Sequence, residues 1–281
     1  MSDSRHDLRA PNDGPADSLG VVVPTLNCAT FLADTLSSIQ RVPIVSQIVV
    51  ADSGSTDGSL DISRAAGVDI LHNAPSGLYA AINTGIRRLS TPWITYLNGD
   101  DLFQSRGITE LFATRDDHDV LYGPVDFITQ DGAFLHCWHS ALPRDILPLF
   151  RSGVSPVLQQ GTLFRRSLFE SLGGFSDRWR FVSDADFWWR AAESGARFHR
   201  ISHPPVASFR MHSGQLSQIH KARMHEEFRE MAASHSCKAG ALLAWWRRSR
   251  YRAANWRGYL VRLLRQGDLS GRLLLKGSYD F

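Results

Sequence analysis

Three cysteines in 281 residues are too few and too scattered to carry structure. Cys28, Cys137 and Cys237 are odd in number and no two stand at C-x-x-C spacing, which argues against a disulfide framework or a thiolate zinc site and favours a reducing compartment. Long apolar runs are lacking too. The longest candidate, ALLAWW at 241–246, falls far short of the ~20 residues of a membrane-spanning helix, so no crossing segment is expected. The opening MSDSRHDLRAPNDGPADS (1–18) has no apolar centre, so it reads as a disordered tail and not as a signal peptide. Acid is nearly missing from one stretch. Between Lys238 and Lys276 ten lysines and arginines face a single acid, Asp268, giving +9 there and leaving −6 for the rest of a chain of net charge +3. Such a segment suits an anionic surface, and phospholipid fits better than nucleic acid because no base-reading motif accompanies it.

What is present is ample material for a core, with 43% hydrophobic and 21% charged residues. LGVVVPTL (19–26), SQIVVAD (46–52), VDILHN (68–73) and PWITYLN (92–98) read as strands, and the segments between them have helical composition, with Asn27 a candidate cap for the first. That β-α-β-α-β-α-β order predicts a mostly parallel sheet with crossover helices. DVLYGPVDFI and AFLHCW around QDG suggest a hairpin, and Lys221–Leu264 reads as mostly helical. The expected organisation is a tail (1–18), an α/β domain (19–220) and a basic helical extension (221–281). In open parallel sheets ligands bind beyond the carboxyl ends of the strands. Thr25 and Asn27, Asp52, and Asn98 with Asp100 and Asp101 end three of these strands and are expected to share one crevice. On the third helix Leu78, Ile82, Ile86 and Leu89 mark a packing face, while Tyr79, Asn83 and Arg87 mark another that can reach a ligand.

VVVPTLN, VVADSGSTDGS, GLYAAINTGI and YLNGDD, followed by QQGTLFRRSLFESLGGF, SDADFWWR and FRMHSGQLS, resemble in order and spacing the family 2 glycosyltransferases of GT-A fold. The resemblance runs from Leu19 to Ser217. It implies a nucleotide-diphospho-sugar donor, a UDP- or dTDP-sugar by preference, and Mn2+ or Mg2+, whose charge offsets that of the leaving diphosphate. It also implies roles. Asp101 and His212 would hold the metal; Pro24, Thr25, Asn27, Asp52, Gly77, Tyr79, Asn83, Asn98, Asp100 and Arg210 would meet the donor, with Asp52 on the base. Asn98 stands where the usual DXD pattern has its first acid. Asp184 would be the general base of a single inverting displacement, with Asp186 as the alternative, and Gln160, Trp179 and Trp188 would line the acceptor site.

Each assignment has a plainer counterpart. Asn98-Gly99-Asp100-Asp101 also reads as a polar turn, Asp184 or Asp186 as a complement to a helix dipole, and the two tryptophans as core. SGSTDGS lacks the lysine and the glycine spacing of phosphate-cradling loops, which rejects a nucleotide hydrolase. VVVPTLNCAT lacks the Gly-rich, basic loop a sugar nucleotidyltransferase needs, and a non-catalytic sugar-nucleotide-binding module is the remaining alternative. The expected product is a step in bacterial surface-polysaccharide assembly on a lipid-linked or saccharide acceptor. The expected location is the cytoplasm, at the inner face of the plasma membrane.

Overall fold

The computed structural model describes residues 17–72, 74, 77–235 and 241–266. The expected tail up to residue 16, Cys237, Lys238 and the basic residues beyond 266 lie outside the described residues.

The alternating first third folds as read. β1 (Leu19–Thr25), α1 (Ala29–Gln40), β2 (Val45–Asp52), α2 (Ser59–Ala65), β3 (Asp69–Leu71), α3 (Leu78–Arg88) and β4 (Trp93–Tyr96) follow one another, with β1 parallel to both β2 and β4. β1 is buried along its whole length, and a strand covered on both faces is an unbroken apolar run instead of an alternating one. Val22 faces one core, with Ile82, Ile86 and Phe164; Val21 and Val23 face the other, with Leu32 and Leu36. Helix α3 lies so close on β1 that a Cβ added at Gly85 would stand 2.6 Å from Val22 Cγ1.

Then the topology departs from simple alternation. β5 (Leu102–Phe103), α4 (Ser105–Phe112), β6 (Val120–Tyr122), β7 (Val125–Thr129), β8 (Phe134–Trp138) and α5 (Ile146–Phe150) come next. They are followed by β9 (Thr162–Arg165), α6 (Arg166–Ser171), α7 (Ser183–Glu193), β10 (Phe198–Arg200) and β11 (Ala207–Met211). The main sheet has the order β10-β6-β9-β4-β1-β2-β3, with β9 antiparallel to its neighbours β4 and β6. A second sheet, β5-β11-β7-β8, covers one end. DVLYGPVDFI, read as one strand, is therefore two. Gly123-Pro124 separates β6 in the first sheet from β7 in the second, while the β7–β8 hairpin across Gln130-Asp131-Gly132 is as expected.

The C-terminal helices are α8 (Leu216–Ile219), α9 (Lys221–Ser234), α10 (Ala241–Ala254) and α11 (Trp256–Gln266). A boundary at 220 is not a packing boundary, because Phe228 and Met231 of α9 are buried in the first core. α10 and α11 are pinned as well. Trp138 Nε1 donates to Tyr251 Oη at 2.9 Å, and the buried Asn255 side chain accepts from His139 N–H at 2.8 Å and donates to His139 C=O at 3.0 Å. Asn255→Ala should lower stability by about 1–3 kcal/mol, since both peptide groups of His139 lose a partner in a buried setting. Trp245→Ala and Trp256→Ala, at exposed positions, should change it little; urea unfolding of the three variants checks the contrast.

Candidate active site

Register brings the strand ends together. Thr25 pairs with Asp52 across β1 and β2, and Leu97 N–H donates to Val22 C=O where β4 runs out. Asp52 is buried, and its Oδ2 accepts the amide hydrogens of Gly54 and Ser55 at 2.9 and 3.0 Å. Its Oδ1 is sealed and has no hydrogen-bond partner. The neighbouring loops are knitted by side chains. Asn27 takes φ 54° and donates its own N–H to Ser55 Oγ, while its Oδ1 accepts from Thr56 N–H. It does not cap α1 as expected. Asp57 Oδ2 accepts from Ala29 N–H at 2.9 Å and its Oδ1 from Ser59 N–H at 3.1 Å, so a single acid serves the starts of both α1 and α2. Pro24 and Thr25 lie buried at the end of β1, and Thr25 Oγ1 donates back to Val23 C=O.

Beyond β4 the chain turns at Asn98, whose C=O accepts Asp101 N–H at 3.1 Å. Asp101 is 0% exposed. Its Oδ1 accepts Arg210 N–H at 3.0 Å, delivered by β11, while Oδ2 is buried without a hydrogen bond. Burial, and then the charge of Asp100, push its pKa well above the usual carboxylate range, partly opposed by Arg210 N–H and the nearby Gln160 and Asn98 side chains. Asp100 meets His212 instead, with Oδ2 2.9 Å from Nε2. Among the described residues no ready-made cage of three or more His, Cys, Asp or Glu side chains is present. The donors still fit a hard divalent ion, since an unclaimed carboxylate oxygen of Asp101 sits beside a second carboxylate. Such ions take one or two protein carboxylates and draw their other ligands from water and phosphate.

The third component crosses from α3 to α7. Tyr79 Oη donates to Asp184 Oδ1 at 2.8 Å, and Asp184 is half-buried. Desolvation raises its pKa, opposed by the Tyr79 hydroxyl and by amides in the first turn of α7. Tyr96, wholly enclosed at the end of β4, has its own pKa raised by burial and by the charges of both Asp184 and Asp101. Both carboxylates therefore act on one phenol. Asp186 is spoken for, with Oδ2 on Arg190 Nε at 2.7 Å and Oδ1 on Trp179 Nε1 at 3.1 Å. Gly77, Tyr79 and Trp179 line a cleft of about 510 Å³ with Ser176, Asp177 and Arg180.

Several expected contacts are placed elsewhere. Arg210 is 4% exposed, and its guanidinium donates to the carbonyls of Asp100 and Gln130, with Asp34 Oδ2 at 3.4 Å, so it braces the acidic turn and does not face open space. Asn83 clamps the backbone of Phe175 with both ends of its amide, which removes it from the ligand-facing set. Trp188 is wholly buried against Phe164 and Phe187, and is core. Gln160 stands beside Asp101, on the side of the acidic turn. Phe31 and Gln215, not among the expected site residues, also stand at this corner. The Phe31 ring packs against both His212 and the Arg210 guanidinium, and Gln215 binds the Arg210 carbonyl and His212 N–H. Phe31 gives no signal in a one-chain reading, whereas Gln215 lay in view within FRMHSGQLS.

Known proteins resemble this chain in sequence and in fold. The sequence model described as Glycosyl transferase family 2 matches residues 20–173. A PGL/p-HBAD biosynthesis glycosyltransferase of Mycobacterium bovis (strain BCG / Pasteur 1173P2) is 31% identical over 215 residues, covering 73% of this chain and 81% of the relative. Among solved structures, the mannosyltransferase PcManGT of Pyrobaculum calidifontis, in complex with GDP-Man and Mn2+, superposes with TM-score 0.57 at 20% identity over 95% of this chain and 82% of its own. TarS 1–349 of S. aureus with UDP-GlcNAc gives 0.58 at 17% identity over 92% and 77%. The fold is that of the GT-A glycosyltransferases, a mostly parallel central sheet flanked by helices. With the family model matched across more than half of its length, this chain belongs to glycosyl transferase family 2 and is a glycosyltransferase enzyme.

Proposed function

We propose that the enzyme moves a sugar from a nucleoside-diphosphate donor to a hydroxyl acceptor in one inverting displacement, in bacterial surface-polysaccharide assembly. The observation that carries it is the pair of carboxylates the fold sets up, Asp101 at the end of β4 with a buried oxygen left without a partner and Asp184 at the start of α7 held by the Tyr79 hydroxyl. The base of a UDP- or dTDP-sugar suits the crevice floored by Pro24, Thr25 and Asn27, where the unpartnered Asp52 Oδ1 can accept an imino hydrogen. Asp101, Asp100 and His212 would hold a divalent cation, which supplies Lewis-acid relief of charge on the leaving diphosphate. The Mn2+ in the mannosyltransferase structure supports that reading. Asp184, its raised pKa nearer the working pH, removes the acceptor hydroxyl's proton as that oxygen attacks the anomeric carbon. Tyr79 holds the carboxylate in place. Trp179 and Gly77 shape the cleft where a lipid-linked or saccharide acceptor would enter. We place the reaction in the cytoplasm, at the inner face of the plasma membrane.

Asp101→Asn keeps the bond from Arg210 N–H and removes a buried charge, so the metal-free protein should melt no earlier than the parent. It should lose the stabilisation that Mn2+ and donor together confer, about 2.7 kcal/mol at a hundredfold excess over Kd. Thermal shift with UDP- and dTDP-sugars tests this, and unchanged Mn2+-dependent donor affinity in the variant would defeat the metal assignment.

Asp184→Asn should slow transfer ~100-fold or more with donor affinity near normal. Asp186→Asn should act on stability instead, since its carboxylate is held by Arg190 and Trp179. The reverse pattern would move the base to Asp186, and a product of retained anomeric configuration would remove the single displacement.

The pH profile has a definite sign. A hydrogen bond from Tyr79 stabilises ionised Asp184, so Tyr79→Phe should raise the pKa further and move the acid limb of kcat to higher pH. An unmoved limb would show that another group governs it.

A further inference from the structure

The tryptophans divide by position. Trp93, Trp138, Trp179, Trp188 and Trp189 of the body are all buried, whereas Trp245, Trp246 and Trp256 of α10 and α11 are 58%, 48% and 56% exposed. Leu260, one turn beyond Trp256, is 44% exposed. These helices are already packed on the body through Tyr251 and Asn255, so the exposed side chains are not waiting for that contact. Guanidinium groups lie with the rings. Arg250 stands 4.6 Å from the Trp246 ring centroid and Arg257 5.5 Å from that of Trp256.

Beside this face a small cavity of about 80 Å³ opens between α10 and the segment after β8. Arg200, Arg247, Arg250, His139, Tyr251 and Asp145 contribute to its wall. The guanidiniums outnumber the one carboxylate there. Arg247 Nε reaches Asp145 only at 3.8 Å, and Arg200 Nε is buried with no acceptor although its other nitrogens bind Ser140 C=O and Ser202 Oγ. Burial and the charges of Arg200 and His203 keep the His139 pKa low, so that ring adds no charge at neutral pH. The cavity therefore has a surplus of planar, fork-shaped donors, the chemistry that recognises phosphate. Arg250 joins both features, one side in the cavity and the other over Trp246.

We infer that α10 and α11 form a docking face for an anionic phospholipid bilayer, with a head-group phosphate seated in the Arg200–Arg247–Arg250 cavity and Trp245, Trp246, Trp256 and Leu260 at the lipid interface. It extends the membrane location in the proposed function to a defined site. A phosphate gripped by Arg250 sets its acyl chains beside Trp246, where indole rings prefer the boundary between head groups and hydrocarbon. The basic composition of α10 and α11, without an acid, matches the charge of such a surface.

The test is flotation of the full chain on vesicles of equal parts phosphatidylglycerol and phosphatidylcholine, with phosphatidylcholine vesicles as the comparison. The parent should float on the mixed vesicles only, and inorganic phosphate should compete better than sodium chloride of equal ionic strength. Arg247→Gln with Arg250→Gln should weaken binding about tenfold or more, whereas Arg64→Gln with Arg106→Gln, the same charge removed from other helices, should leave it unchanged. Trp245→Ser with Trp246→Ser should weaken it even at high salt. If the double arginine variant melts early, Arg250→Gln alone, at an exposed position, carries the comparison. Equal loss in the two arginine pairs, flotation on phosphatidylcholine alone, or capture by an oligonucleotide without flotation would each overturn the inference. Release of nucleoside diphosphate without vesicles is assayed alongside. Turnover retained with flotation lost, or the reverse, separates failure of the docking face from failure of the catalytic reading.

Discussion

A carboxylate sealed from water at the end of β4 constrains much of this molecule. The Asp101 carboxylate accepts a hydrogen bond from the backbone of β11, and that strand is held by its antiparallel pairing with β5, which begins one residue after Asp101. The second sheet thereby fixes the acid from both sides. Arg210 ties the carbonyl of Asp100 to Gln130, Gln215 ties the carbonyl of Arg210, and Phe31 packs beneath both His212 and the guanidinium. A buried carboxylate is tolerated when it is hydrogen-bonded or meets a cation, and here one oxygen is left over. The residues around it hold that oxygen in place without using it.

Two acids near one phenol then differ by environment. Asp101 is enclosed and bonded at one oxygen by the backbone, whereas Asp184 is half-buried and held by the hydroxyl of Tyr79, a residue that lines the cleft. Desolvation raises both pKa values, but only Asp184 lies at the start of a helix, where amides and the dipole temper the shift. Asp186, two residues on, faces Arg190 and Trp179 because that spacing in a helix turns the side chain to another face. One motif thus yields an acid held by a hydroxyl and one held by a guanidinium and an indole.

The C-terminal helices brace the body through one face and leave another exposed. Tyr251 and Asn255, one turn apart, reach the body, while Trp246 stands exposed with the Arg250 guanidinium over its ring. Amphipathic helices supply two faces, and here one packs while the other carries exposed Trp245, Trp246 and Trp256.

The strand-and-helix order of residues 19–98 and the meeting of Thr25, Asp52 and the Asn98–Asp101 turn were legible in the sequence, because apolar runs and turn residues are local signals and parallel strands gather their ends. The division of labour among the polar residues was not. Arg210 and Asn83 look like ligand contacts until the chain folds and offers them backbone carbonyls and amides 80 and 92 residues away. Trp188 is polar-tipped in sequence and core in space. DVLYGPVDFI is one apolar run that Gly123-Pro124 divides between two sheets, and α9 belongs to the body through Phe228 and Met231. The sequence by itself determined which elements form and which end of the sheet carries the acids, since both follow from periodicity and strand direction. Only the tertiary structure decided which carboxylate oxygens of those acids stay unpartnered, because a side chain's partners come from segments that sequence spacing does not connect.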